Sequence, residues 1–274
     1  MGRRLGKLVT ALLIVVAMVG GALPAAAAGQ RAMWVWDGPV DGVIDFSRTR
    51  SVTDLYLHAP PGFAANGSYR TFIEEAHAAG MQVHAMAGDP AWAKQAGTWR
   101  DWVDEVVAHG GFDGLVFDVE PYLHPDWNTK KQGRLIRSYL AGLDQATQRA
   151  GDTPVLTAVP FWFDELRVKR MLLIEHVLAT TDGIVVMAYR DHAEGVDGII
   201  EHSVVEAALA GSMGREFVIG VETGIAGLDK VSFAEETESF MEGQLQLVEA
   251  QFAPASGFGG IAIHHYGAYS AMRP

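Results

Sequence analysis

Eight short apolar runs, each followed by a stretch of helical spacing, constrain this chain more than any other feature. The runs cover residues 32–37, 52–58, 82–87, 112–122, 155–160, 182–191, 216–223 and 258–266. Near-continuous apolar strands need cover on both faces, which a parallel sheet wrapped in helices supplies. Between them, helical spacing is expected over residues 70–79, 95–109, 129–150, 166–179, 199–210 and 233–252, with a short helical or irregular return over 42–51. Gly80, Gly110 and Gly151 stand where helices of this kind end.

Strict strand and helix alternation predicts an α/β fold, a (β/α)8 TIM barrel in a single domain. A doubly wound open sheet is the other architecture such alternation allows, but no glycine-rich phosphate-binding turn follows the first strand. Only eight residues follow Tyr266, so the last helix is expected to be short or missing. Residues 112–120, 181–189 and 258–266 superpose without gaps, which supports a repeated strand unit. That register places Glu120, Tyr189 and Tyr266 at one level, with Asp118, Met187 and His264 a layer below.

The N-terminus is read separately. Arg3, Arg4 and Lys7 precede an uncharged run over 8–23 and then Pro24-Ala25-Ala26-Ala27-Ala28, the pattern of a secretory signal peptide cleaved near Ala28. The expected organisation is a leader over 1–28 and a barrel over 29–274, a secreted or extracytoplasmic protein with no membrane attachment after cleavage. Loss of those three basic residues leaves 18 Lys and Arg against 33 Asp and Glu. A surface that acidic argues against nucleic acid and anionic lipid as partners. The chain has no cysteine, so thiolate zinc sites and disulfides are excluded and the apolar core must carry stability. A monomer is expected.

The run over 112–122 carries the chemistry. Entered through Asp113-Gly114 and left through Asp118-Val119-Glu120-Pro121, it places Val116, Asp118 and Glu120 on one strand face. Two acids on the inward face of a buried strand are costly, and like charges at close range raise one pKa toward that of a working acid. A structural network in which both satisfy His or Arg side chains across the barrel is the competing explanation.

In barrels of this kind the active site lies at the C-terminal ends of the strands. The polar tips there are Asp37, His58, Asp89, Asp118, Glu120, Asp164, Tyr189, Arg190, Asp191, Glu222, His264 and His265. Trp34, Trp36, Trp92, Tyr122, Trp127, Phe161, Trp162 and Tyr266 stand around them. Carboxylates among aromatic faces suit a carbohydrate, whose C–H faces pack on rings while its hydroxyls bond to acids. We therefore expect Glu120, Asp118, Glu222, Tyr189 and Asp191 as catalytic candidates. Trp34, Trp36, Asp37, His58, Asp89, Trp162, Arg190, His264 and Tyr266 are expected to bind substrate.

Asp113-Gly114-x-x-x-Asp118-x-Glu120 resembles the strand-four signature DGxDxDxE of family 18 glycoside hydrolases, the chitinase-like barrels, and Met187-Ala188-Tyr189 is similar to their strand-six M-x-Y-D. The resemblance implies that Glu120 protonates the glycosidic oxygen, that Asp118 orients the N-acetyl group of the substrate and that Tyr189 helps to hold it. The chain departs from the pattern at Val116, where the family has its middle Asp. It departs again at Arg190, which displaces Asp191 by one, and at His264-His265-Tyr266 in place of a floor tryptophan. Val119-Glu120-Pro121 and Val221-Glu222-Thr223 are also similar to the strand-four acid and strand-seven nucleophile of the large clan of retaining barrel glycosidases, without the Asn before the acid. That resemblance implies two carboxylates about 5–5.5 Å apart.

Two further possibilities remain at this level. His58, His84, His264, Asp118, Glu120 and Asp191 could serve an amidase-like metal hydrolase, although adjacent His264 and His265 face opposite sides of a strand. A barrel that only binds carbohydrate is the other. The glycosidase reading implies no cofactor and no metal.

Overall fold

The computed structural model describes residues 29–274; the leader expected over 1–28 lies outside the described residues. In chain order the elements begin β1 (Gln30–Val35), α1 (Val43–Thr49), β2 (Asp54–His58), α2 (Ser68–Ala78), β3 (Gln82–Ala87), α3 (Ala96–His109), β4 (Gly114–Phe117) and α4 (Gln132–Ala150). They continue with β5 (Val155–Pro160), β6 (Arg167–Val168), β7 (Met171–Leu172), α5 (Leu173–Thr180), β8 (Gly183–Met187), α6 (Val204–Met213), β9 (Glu216–Glu222), α7 (Glu238–Phe252), β10 (Phe258–His264) and α8 (Tyr266–Tyr269). β6 and β7 make a separate two-stranded antiparallel sheet. The other eight strands close into a barrel in the order β1-β10-β9-β8-β5-β4-β3-β2, the arrangement the alternation predicts. The final helix is a four-residue turn, and the chain end returns to pair Arg273 with Thr237 at the start of α7.

Two apolar cores follow from the two faces of the strands. Odd-numbered positions of β1 and β2, such as Met33, Val35, Leu55 and Leu57, pack outward against the helices. The alternate positions fill the barrel interior, where Trp34, Tyr56, Met86, Val116, Leu156 and Met187 form a plug. Under α3, Trp99 and Trp102 pack on Phe117 from outside and their indoles donate to the carbonyls of Trp92 and Ala59, at 2.7 and 2.6 Å. Gly142 on α4 faces Trp99, where a Cβ would meet the indole nitrogen at 2.9 Å.

Several boundaries differ from the sequence expectation. β4 ends at Phe117 and β8 at Met187, so Asp118, Glu120, Tyr189, Arg190 and Asp191 stand on the loops beyond the strands. The helix expected over 199–210 forms over 204–213, because the chain after β8 first makes a long loop. The shared level of Glu120, Tyr189 and Tyr266 does not form. Tyr266 opens α8, turns outward and packs edge-on against Phe46 at 5.5 Å, because the strand stops at His264.

One buried acid lies outside the barrel. Glu206 on α6 is 1 % exposed, its Oε1 has no partner, and burial, with a further push from Asp164, raises its carboxyl to about 8. A folded-state pKa above the unfolded value means that the retained proton contributes stability that is whole below about pH 4.5 and lost as pH rises through about 8. Glu206→Gln is therefore expected to be more stable than the wild type at pH 9, by on the order of 3–5 kcal/mol, and to gain little at pH 4.5. Urea unfolding at the two pH values measures this; equal gains at both would show that Glu206 is not held protonated.

Candidate active site

Trp34 organises the centre of the barrel. Its ring is fully buried, meets Tyr56 edge-on at 5.2 Å and His264 at 5.5 Å, and fits because Gly220 faces it, where a Cβ would come within 3.3 Å. The indole N–H donates to Asp118 Oδ2 at 3.3 Å. Val116, the residue before Asp118 on the same face, belongs to the apolar plug beneath. Thus a neutral donor from β1 supports Asp118 where a second acid on β4 is missing. Burial pushes the Asp118 carboxyl up, opposed by His264 and by the Trp34 bond.

The backbone at Asp118 is held as closely as its side chain. Its N–H donates to the Ala87 carbonyl at 3.0 Å, and its own carbonyl lies against Gly88, where a Cβ would fall 1.9 Å from the oxygen. Only a residue without Cβ lets the end of β3 approach the end of β4 this closely.

Glu120 opens a short 3-10 turn over Pro121–Leu123, in which the Leu123 N–H donates to the Glu120 carbonyl at 3.1 Å. That turn brings the Tyr122 hydroxyl onto Glu120 Oε1 as a hydrogen-bond donor. Burial first, then the charge of Asp118, raises the Glu120 carboxyl to about 7, against an opposing pull from His264. A carboxylic acid with that pKa is half protonated at neutral pH, which suits a general acid that must also act as a base. Tyr122 in turn stands edge-on to Trp162 at 5.1 Å, and Trp162 to Trp127 at 6.0 Å, so an aromatic wall rises beside the acid.

On the opposite side, three groups are wired in series. The Trp36 indole N–H points at His264 Nε2 at 2.8 Å, and because an indole N–H only donates, the proton of a neutral His264 sits on Nδ1. His264 Nδ1 lies 2.7 Å from Glu222 Oε2, a close contact at an angle too poor for a hydrogen bond. Glu222 Oε1 accepts the Gly224 N–H at 2.6 Å. Both oxygens of Glu222 are thus engaged, and the side chain is buried. Tyr189 lies 6.0 Å from the His264 ring, and burial and then Asp118, Glu222 and Glu120 push its hydroxyl well above its usual range. Asp118, Glu120 and Glu222 therefore all act on one tyrosine that also packs beside His264.

The other residues expected at the site divide. His58 is part of the rim: its ring packs on Trp36 at 5.3 Å, its Nδ1 donates to the Trp36 carbonyl at 2.9 Å, and burial lowers its pKa. His58 and Asp89 line a side cleft of about 340 Å³ with Gly88, Trp92 and Gln95, while Asp89 also caps its own turn by accepting the Ala91 N–H at 2.7 Å. Asp37 is exposed beyond β1. Arg190 faces away from the carboxylates. It binds Asp197 Oδ1 at 2.5 Å and the Tyr189 carbonyl at 2.6 Å, with its guanidinium 5.1 Å above the Phe161 ring. Asp191 pairs with His192 at 2.6 Å. Tyr266 lies against Phe46 instead of in the mouth.

The histidines do not share a centre. His84 is at the strand-start end of the barrel, bonded to Asp54 at 3.0 Å, far along the barrel axis from His264. Among the described residues no three His, Asp or Glu are grouped so as to hold a metal ion. The contact the sequence expectation missed is Tyr122 on Glu120; its signal was the Pro121 between them, which turns residue 122 back toward residue 120.

No family model matches the chain, and no curated protein matches it. Solved structures do. A chitinase from Chromobacterium violaceum aligns with a TM-score of 0.59 at 11% identity, covering 88% of this chain and 95% of that one. A chitinase from Rhizomucor miehei aligns with a TM-score of 0.56 at 16% identity, over 86% of this chain and 94% of that one. The spore cortex-lytic enzyme SleL of Bacillus megaterium gives 0.56 at 12% identity, over 90% and 72%. At these identities the likeness establishes the shared barrel fold.

Proposed function

We propose that this protein is an exported glycoside hydrolase in which Glu120 is the general acid and base, acting on a glycan of N-acetylated amino sugars. The observation that carries the reading is the state of Glu120: a carboxyl at the strand-end mouth of the barrel, raised to about 7, with a second acid and an aromatic wall beside it. In the first step the Glu120 proton passes to the glycosidic oxygen as the C1–O bond breaks with its electron pair on that oxygen. The acetamido oxygen of the substrate closes onto C1, and Asp118 takes the amide N–H while Tyr189 holds the group in place. Water then attacks C1, gives its proton to the Glu120 carboxylate, and the ring opens with retained configuration.

Two features favour Asp118 over Glu222 as the partner of Glu120. Asp118 adds to the rise of the Glu120 pKa, so the two carboxyls interact. Glu222 is buried, with one oxygen bonded to the Gly224 N–H and the other in close contact with His264 Nδ1. The shared fold with chitinases and a cortex-lytic enzyme is consistent with a carbohydrate substrate. Export rests on the leader sequence, and no helix of the described residues is long and apolar enough to cross a membrane.

The test is a panel of soluble and insoluble polysaccharides incubated with the protein from residue 29 onward, with reducing ends measured from pH 4 to 9. Release is expected on polymers that keep the N-acetyl group, with kcat/KM falling above about pH 7 as Glu120 loses its proton. Absence of release from every member of the panel would sink the proposal, and release only from polymers lacking the N-acetyl group would remove Asp118 from its assigned role.

A further inference from the structure

We propose that Tyr122 is the positioning residue for Glu120: its hydroxyl fixes which carboxyl oxygen carries the transferable proton. The proposal rests on the reading of Glu120 as the acid. A free carboxyl has two equivalent oxygens and can present its proton on either. Here the Tyr122 O–H donates to Oε1, and the oxygen that accepts such a bond is the carbonyl-like one, so the proton is carried on Oε2.

The rest of the turn makes that contact obligatory. Pro121 fixes the first position of the 3-10 turn, and the bonds from Leu123 to Glu120 and from His124 to Pro121, both 3.1 Å, close it. The phenol ring is then held edge-on by Trp162 at 5.1 Å and by Trp127 at 6.5 Å, and it also packs against the barrel plug. A residue two places from the acid thus reaches back to it with little rotational freedom left.

The same bond has an electrostatic effect. A hydroxyl donating to a carboxyl favours its ionised form. During the reaction Glu120 becomes a carboxylate as its Oε2 proton moves to the departing glycosidic oxygen, and the Tyr122 bond stabilises that carboxylate until water returns a proton. Tyr122 therefore restrains the upward push that burial and Asp118 exert, and keeps the acid strong enough to protonate the glycosidic oxygen.

The test compares the wild type with Tyr122→Phe, which removes one oxygen from a half-buried site and leaves the ring. The first measurement needs no substrate: the Glu120 side-chain carboxyl is titrated by 13C NMR, its resonance assigned by its loss in Glu120→Gln. The Glu120 titration in Tyr122→Phe is expected to lie about one pH unit higher than in the wild type. The second measurement is kinetic: kcat is expected to fall about tenfold with KM within about twofold, and the alkaline limb to move up with the titration. A residue that only supports the fold would lower the melting temperature and leave both curves in place. Identical titrations in the two proteins would overturn the proposal. A shifted titration in a protein that cleaves no glycan would leave Tyr122 as the partner of Glu120 and remove the glycosidase reading instead.

Discussion

Glu120→Gln is expected to leave the barrel folded and to lower turnover on the substrate glycan by about 10²–10⁴. Glutamine has the size and shape of the acid but no proton to give and no charge to receive one. The Tyr122 hydroxyl still finds an acceptor in the amide oxygen, so the turn over Pro121–Leu123 stays closed. Removal of an acid held at about 7 by burial also relieves a cost above that pH. The variant should therefore unfold at equal or higher urea than the wild type at pH 8. Substrate binding is expected to survive, because the aromatic wall is untouched. Retention of full turnover by a folded Glu120→Gln protein would show that the acid lies elsewhere.

Gly88→Ala is expected to have the second large effect, on structure as much as on activity. The added methyl would sit 1.9 Å from the Asp118 carbonyl oxygen, 2.2 Å from its carbonyl carbon and 2.7 Å from the Val119 nitrogen. All three are backbone atoms between two paired strands, so no side-chain rotation relieves the clash. β3 and β4 must separate at their ends, which strains the bond from the Asp118 N–H to Ala87 and moves Asp118 off Trp34. A loss of about 3 kcal/mol or more in unfolding free energy is expected, with a fall in kcat beyond what the unfolded fraction explains. Urea titration and kinetics on the same preparation separate the two. A variant with wild-type stability would mean that the ends of β3 and β4 are not in contact in solution.

Much of the fold was legible in the chain because its cause is local. Each barrel strand is mostly apolar, each helix carries one apolar side, and glycines such as Gly80, Gly110 and Gly151 end the helices at positive φ, where other residues are strained. The expected helix over 95–109 forms over Ala96–His109, and the one over 129–150 over Gln132–Ala150. The loop after β8 was harder to read, because the apolar pair Ile199 and Ile200 packs on the core, Ile199 fully and Ile200 in part, from a loop held by bonds back to His192 and Ala193. The pair β6 and β7 is too short to leave any periodic trace.

The site was legible in part. Glu120 and Asp118 announced themselves by the improbability of two acids at the end of an apolar strand. Glu222 looked like a free acid at a strand tip, and only the packing of β9 beside β10 shows both its oxygens occupied. Tyr266 appeared to share a level with Glu120 because strand spacing was extended two residues too far, beyond the point where the chain turns into α8. Arg190 looked like a substrate ligand until the loop after β8 folded Asp197 back onto it.

The sequence by itself determined the barrel, the end of it at which polar groups collect, and the strand after which Asp118 and Glu120 stand, since alternation and periodicity act between near neighbours along the chain. Closure of the barrel decided everything that crosses it: Trp34 from β1 beneath Asp118 from β4, Gly88 against the Asp118 backbone, and Trp36 and Glu222 on either side of His264. Strand spacing fixes the face to which a side chain points, whereas its partner depends on the order and stagger of eight strands around a closed ring.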